Sequence, residues 1–414
     1  MMQKKTILLS AYACSPIKGS EEGRGWNWAV GLAELGYTVY CMTNFEDREH
    51  ILAHHQETGL SNLHFVFVNL PFGLDRLLFD PSGKTVYLHY WLWKRKASKM
   101  AKKLHAKYRF DVAHHATYGS LQQGSALYDV EDCKIIFGPV GGGQMALPIF
   151  KGYFGKAWIT ELLRQRVSNF MLRSSTGLKK TIQRAAVIVS TNQETKALLE
   201  KHYDEAREKS HLATMYPIPK MYNALPYTDR GEEHKKLNII WIGRLLPRKG
   251  LNLTLHALSL LPDSVPFELT VVGDGRHNHQ IDTWSREYGL DKNKLNLVGK
   301  IPYSEVARYY KEADVMLFCS LRDTLGIQIM EAMAHSLPLV VLNISGARNL
   351  VPEACAIKID PTETPGTAEA IANAIETLQK NPGLRKKMAK ASHAHAMRNT
   401  WEKVILDFTQ RHYE

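Results

Sequence analysis

The chain holds only five cysteines in 414 residues, Cys14, Cys41, Cys133, Cys319 and Cys355, an odd number with no C-x-x-C pair. That excludes a disulfide framework and fits a reducing compartment, so a cytoplasmic location is expected. No uncharged apolar stretch reaches bilayer-spanning length. The short run after Lys4-Lys5 is broken by Ser10 and Tyr12, too early for a secretory segment, and Thr6 to Leu9 reads better as a first strand. A Walker loop is missing, and Gly273-Asp274-Gly275 stops short of a dinucleotide fingerprint because Asn278 stands where the third glycine would be. A nicotinamide enzyme therefore has the architecture but not the glycines. Solenoid repeats, low-complexity tracts and nucleic-acid recognition motifs are also lacking, so no nucleic-acid partner is expected.

What is present is ordinary globular composition, 44% hydrophobic and 23% charged, over a length that suits two domains. Short apolar runs alternate with helix-spaced stretches, the pattern of mostly parallel sheets covered by helices on both faces. Strands are expected at Thr6 to Leu9, Tyr37 to Thr43, Leu63 to Val68, Asp111 to His115, Lys134 to Phe137 and Ala185 to Ser190. Proline-rich and charged sequence between Tyr203 and Lys236 interrupts the pattern. A second alternation then runs through Leu237 to Gly243, Phe267 to Gly273, Leu295 to Gly299, Val315 to Cys319 and Leu337 to Leu342. The expected organisation is an α/β domain over 1–205, a linker over 206–236, a second α/β domain over 237–395, and a C-terminal helix over 396–414 packing on the first domain.

The net charge of +12 is unevenly spread. Between Asp80 and Asp111 there are nine lysines or arginines and no acid; Lys151 to Arg184 adds eight against the single acid Glu161. In the first tract Trp91 and Trp93 lead into Lys94-Arg95-Lys96. Aromatics beside a basic helix suit an anionic membrane surface. A solvated helix with Ala97, Ala101, Leu104 and Tyr108 as its core stripe is the competing reading.

Chemistry concentrates in the second half. Ala313 to Phe318 suits a buried parallel strand, Asp323 to Gly326 a turn, and Ile327 to His335 a helix with one apolar face. Loops after such strands, with the helix N-terminus behind them, are where ligands bind. Asp323 in the loop and Glu331 on the helix can together hold hydroxyls of one polar ligand. Earlier, Gly243-Arg244 and Lys249-Gly250 put a guanidinium and an ammonium at a strand's carboxyl end, well placed for a diphosphate.

These pieces, with Gly19-Ser20-Glu21, His114-His115, Val272-Gly273-Asp274-Gly275 and Leu297-Val298-Gly299, resemble the retaining glycosyltransferases of family 4 (glycosyltransferase group 1). The resemblance implies the GT-B fold: two Rossmann-like, doubly wound parallel-sheet domains facing a cleft, with the first on the acceptor side. It implies that Arg244 and Lys249 bind the donor diphosphate, that Glu331 holds the ribose, and that Asp323 with the backbone of Thr324, Leu325 and Gly326 holds the sugar. Gly243 and Gly273 would line the donor site, Val298 would meet the base, Gly19 and Ser20 would approach the phosphates or acceptor, and His114 or His115 would face the transferred sugar. Asp323 departs from the family's usual glutamate, and Asn349 stands where an acid often follows the turn near Gly346. No Asp-x-Asp occurs, so neither metal nor cofactor is expected, only a UDP- or GDP-linked sugar as substrate. The implied reaction moves a hexose to a glycan or lipid-linked acceptor hydroxyl, with retention, in bacterial surface polysaccharide or glycolipid synthesis. A silent sugar-nucleotide-binding protein and an epimerase on the same fold are the alternatives.

Overall fold

A computed structural model describes residues 5–79, 85–232, 236–324, 326–363 and 365–414. They form two compact units. The first takes the chain up to Gly143, Val167–Ala213 and Trp401–Glu414; the second takes Gln144–Arg166 and Thr214–Thr400.

In the first unit seven strands, β1 (Thr6–Ala11), β2 (Thr38–Thr43), β3 (Leu63–Phe67), β4 (Val112–Thr117), β5 (Lys134–Val140), β6 (Val187–Ser190) and β7 (Ser210–Leu212), lie in the order β3-β2-β1-β4-β5-β6-β7. The second unit repeats the scheme with β8 (Leu237–Ile242), β9 (Phe267–Val272), β10 (Leu295–Gly299), β11 (Val315–Phe318), β12 (Leu339–Leu342) and β13 (Ala356–Ile359), ordered β10-β9-β8-β11-β12-β13. Every pairing is parallel. Each sheet grows outward from its first strand, then restarts on that strand's other side. The connections leaving the carboxyl ends of β1 and β4, and of β8 and β11, therefore lead away to opposite sides of the starting strand and leave a crevice there, the usual ligand position in such sheets.

Three boundaries differ from the sequence expectation. Residues 144–166 pack in the second unit because Phe150, Tyr153, Phe154 and Trp158 are buried in one core with Leu237, Ile239 and Leu269. Residues 206–213 are not linker: Ser210–Leu212 adds an edge strand beside β6, too short to show a hydrophobic pattern. The following stretch is pinned to the second unit by Arg230, which donates to the carbonyls of Lys311 (2.8 Å), Tyr310 (3.1 Å) and His335 (3.0 Å). These are carbonyls at helix ends, which lack intrahelical partners. The C-terminal helix Trp401–His412 lies in the first unit, where Trp401, Ile405 and Phe408 are buried with Trp28, Ala29 and Leu32 of helix Ser20–Glu34.

Strand β4 continues to Thr117, past the expected end at His115, and all six of its residues are buried. The two histidines consequently point to opposite faces. His114 stacks on Phe408 (5.0 Å, 19°) and bonds through its ring nitrogens to Tyr413 Oη (2.8 Å) and the Gly138 carbonyl (2.7 Å). His115 bonds to the Tyr118 carbonyl at 3.0 Å and packs on Phe137. In the basic helix Val86–Tyr108 the expected stripe of Ala97, Ala101, Leu104 and Tyr108 does pack on the core, and it extends back to Tyr90 and Trp93. Tyr90, Trp93, Ala97 and Ala101 are the buried part of that stripe, and Trp93 meets Tyr12 edge-on at 5.1 Å. Lys94 is buried and donates to the Gln123 carbonyl. Trp91, Arg95, Lys96, Lys99, Lys102, Lys103 and Lys107 are exposed.

Burial pushes His114 down to about 3, and His115 and His412 down to about 4, from an ordinary value of 6.5. The unfolded chain therefore takes up these protons first, and the stability held by the neutral rings is complete above pH 6.5 and lost as the pH falls towards 4. Thermal unfolding midpoints should drop steadily across that window; a flat profile would contradict the neutral buried rings.

Candidate functional site

The site begins with two neighbouring loops of the second unit. After β8 the chain passes Gly243 and Arg244, makes a tight turn at Pro247–Lys249, and reverses at Gly250. Gly250 has φ of +71°, and a Cβ there would lie 1.9 Å from the Cys319 carbonyl oxygen, so glycine lets the two loops touch. Leu321 N–H donates to the Arg248 carbonyl at 2.8 Å, fastening the loop after β11 to the turn after β8. A third loop closes in at Gly273, whose φ is +138° and whose Cβ would fall 1.9 Å from the Gly243 carbonyl oxygen.

This backbone contact places Lys249 against Asp323. The ammonium donates to Oδ2, with Arg248 Nη1 at 3.6 Å from the same oxygen, while Oδ1 accepts from the Thr324 N–H at 2.9 Å. Lys249 is 7% exposed. Burial pushes the Asp323 carboxyl up, but the Lys249 and Arg248 charges outweigh it and hold it below the usual range. Burial lowers the Lys249 ammonium, and Asp323 offsets this only in part. A near-buried ion pair of this kind gives little net stability compared with apolar side chains of the same volume. A place for a charged ligand accounts for it better than stability does.

Glu331 lies on helix Ile327–Ala334, 2% exposed, and accepts from the hydroxyls of Tyr303 (2.5 Å, on Oε1) and Tyr310 (2.8 Å, on Oε2). Burial raises its carboxyl above the ordinary value despite both bonds. Arg244 is exposed on its loop. Val298 is half-buried on edge strand β10, and Gly299 O accepts from Gly273 N–H at 2.9 Å. Gly326 begins the Glu331 helix at φ of +101°, close over the Phe318 ring. Leu325 lies outside the described residues. The second unit thus gathers Gly243, Lys249, Gly273, Asp323 and Thr324 on touching loops. Gly19, Ser20, His114 and His115 belong to the first unit, where Gly19 precedes helix Ser20–Glu34 with open space beside it. Both histidines there are fully buried, so neither ring is open to a ligand.

Residues 228–395 match the family model described as Glycosyl transferases group 1. The matched segment contains both loops and Glu331. Among curated relatives, the amylovoran biosynthesis glycosyltransferase AmsK of Erwinia amylovora is 32% identical over 151 residues, 35% of this chain and 36% of that one. The chain spans about a third to just over half of the length of the curated relatives it matches. Among solved structures, a sucrose-phosphate synthase of Thermosynechococcus elongatus superposes with a TM-score of 0.66 at 18% identity, covering 99% of this chain and 98% of that one. HepE of Anabaena, solved with UDP and glucose, gives 0.60 at 16% identity, covering 98% and 99%. These likenesses show the GT-B fold.

Around the segment that matches the family model, sequence reasoning missed several side chains. Arg248 and Arg322 each neighbour a residue already singled out. Glu161, the lone acid of the second basic tract, is 5% exposed and pairs with Arg164 (2.8 Å) and Arg322 (2.8 Å). Burial pushes its carboxyl up, and the two arginines more than reverse that. Gln144 donates to Thr324 Oγ1 at 3.0 Å, and Arg164 to the Gln144 carbonyl at 3.3 Å. The segment 144–166 therefore braces the Asp323 loop from one side. Its isolation among basic residues was the available clue to Glu161.

Removing one member of a buried charge cluster strands the others. Glu161→Gln should destabilise the second unit by about 3–5 kcal/mol, read by denaturant unfolding. A change under about 1 kcal/mol would show that the cluster is solvated surface.

Proposed function

We propose that this chain transfers a hexose from a UDP- or GDP-linked donor to a hydroxyl of a glycan or lipid-linked acceptor, with retention of configuration and without metal or cofactor. The observation that carries the reading is the near-buried Lys249–Asp323 pair on touching loops at the β8/β11 crevice, inside the segment that matches group 1 glycosyltransferases. Lys249 and the exposed Arg244 provide two cations at one strand's carboxyl end. A donor diphosphate replaces Asp323 as the counter-ion of Lys249, freeing that carboxylate for sugar hydroxyls with the backbone of Thr324 and Gly326. Glu331 takes a ribose hydroxyl, and the β10 edge at Val298 meets the base.

As the sugar–phosphate bond breaks, negative charge grows on the leaving oxygen and oxocarbenium character on the sugar. Fixed cationic donors aimed at that oxygen are worth about 3–4 kcal/mol each, because they are already oriented when charge develops. Retention follows if the acceptor hydroxyl enters from the leaving-group face and a phosphate oxygen takes its proton. The first unit, with Gly19 and the start of helix Ser20–Glu34, is assigned to the acceptor. The amylovoran biosynthesis named for AmsK supports a surface glycan or glycolipid as the acceptor of choice. Among the described residues no helix is long and apolar enough to cross a membrane. The exposed face of helix Val86–Tyr108, where the Arg95 guanidinium sits 3.6 Å from the Trp91 ring centroid, offers cations for an anionic leaflet on the cytoplasmic side.

The test is product formation from UDP- and GDP-hexoses labelled in the sugar, with and without glycan or lipid-linked acceptors. Label should enter the acceptor, EDTA should leave the rate unchanged, and Arg244→Ala should lower turnover about a hundredfold or more. Sugar conversion without acceptor would indicate an epimerase, binding without turnover a silent binder, and a strict metal requirement would contradict the mechanism.

A further inference from the structure

Resting on that donor reading, we propose that Tyr303 sets the ribose specificity of the site by competing with the nucleotide for one oxygen of Glu331. The two tyrosines on this carboxylate are not equivalent. Tyr310 is fully buried, stacks on His335 (5.1 Å, 26°), and has its own carbonyl held by Arg230. It cannot leave Oε2 without opening the core. Tyr303 is 46% exposed and stands in the short turn Tyr303–Glu305 that follows β10, reaching in from the surface to place its hydroxyl on Oε1. A side-chain rotation withdraws it.

Glu331 is itself 2% exposed, so the half-exposed Tyr303 is the partner that a ligand can displace from it. A buried carboxylate left without a donor on Oε1 would be costly, so whatever displaces Tyr303 must bring a hydroxyl of its own. A ribonucleotide does so. A deoxynucleotide lacking the hydroxyl that faces Glu331 gains nothing by displacing Tyr303, and the phenol stays in place and satisfies the carboxylate. Two consequences follow. The phenol weakens ribonucleotide binding by competition, and it cushions the loss when the matching hydroxyl is absent.

The experiment is calorimetric titration of UDP and GDP, each with its 2′-deoxy and 3′-deoxy analogue, into the wild-type full chain, Tyr303→Phe and Tyr310→Phe. Tyr303→Phe should bind the ribonucleotide about fivefold to tenfold tighter, the scale of one hydrogen bond to a charged group partly repaid by the ligand. Its discrimination against at least one of the two deoxy analogues should widen about tenfold over wild type. Tyr303→Leu should repeat the pattern, which guards against a local packing effect of phenylalanine. Tyr310→Phe should not widen the discrimination. Equal changes for ribo- and deoxynucleotides, or none, would overturn the competition. Failure of every nucleotide to bind wild type and both Tyr303 variants would instead bring down the donor reading itself.

Discussion

A lysine ammonium and an aspartate carboxylate, 74 residues apart in sequence, meet where two parallel strands have just ended. Taking both charges out of water is costly, and the attraction between them compensates only when the backbone fixes their separation. The second unit meets that condition with main-chain contacts: the Leu321 N–H on the Arg248 carbonyl, and Gly250 closing on Cys319. The order β10-β9-β8-β11-β12-β13 makes the β8 and β11 loops neighbours in the first place. Bracing from Gln144 and Glu161 then limits how far the Asp323 loop can move. A carboxylate held this way is a counter-ion that a phosphate can replace, and the exchange we propose would join the fold to the chemistry.

Much of this was readable from residue order. Apolar runs located eleven of the thirteen strands, and the eight-residue spacing of Asp323 and Glu331 marked loop and helix correctly. Of the strands that escaped, Ser210–Leu212 is three residues long, too short for a period to register, and the apolar run of Ala356–Ile359 is broken by Lys358. The histidine pair failed as an open site for a different reason. Alternation separates His114 and His115, and β4 simply runs on for two more residues, so both rings are shut inside a core, His114 bonded through both nitrogens and His115 through Nε2 alone. Partners of site residues were the least legible part. Nothing local to Glu331 announces Tyr303, and nothing near Asp323 announces Glu161 from the preceding half of the chain.

The basic tract shows how helical spacing sorts a cluster that composition lumps together. Trp91 and Trp93 are two residues apart and so face different ways: Trp93 enters the aromatic core, and Trp91 lies outside under Arg95. Lys94 goes in with Trp93, where burial lowers its ammonium to about 8. The helix's charge open to an anionic surface is therefore Arg95, Lys96, Lys99, Lys102, Lys103 and Lys107, with Lys94 taken out of the run.

The counter-ion exchange is tested most directly by the affinity of the bare nucleoside diphosphate. UDP and GDP are titrated by calorimetry into the wild-type chain and into Lys249→Met combined with Asp323→Asn, which removes the ammonium without stranding its carboxylate. The account predicts that at least one of the two nucleotides binds the wild type and binds the variant about a hundredfold more weakly, the worth of a charge-assisted phosphate contact. Equal affinity for both proteins, with the variant folded, would contradict it.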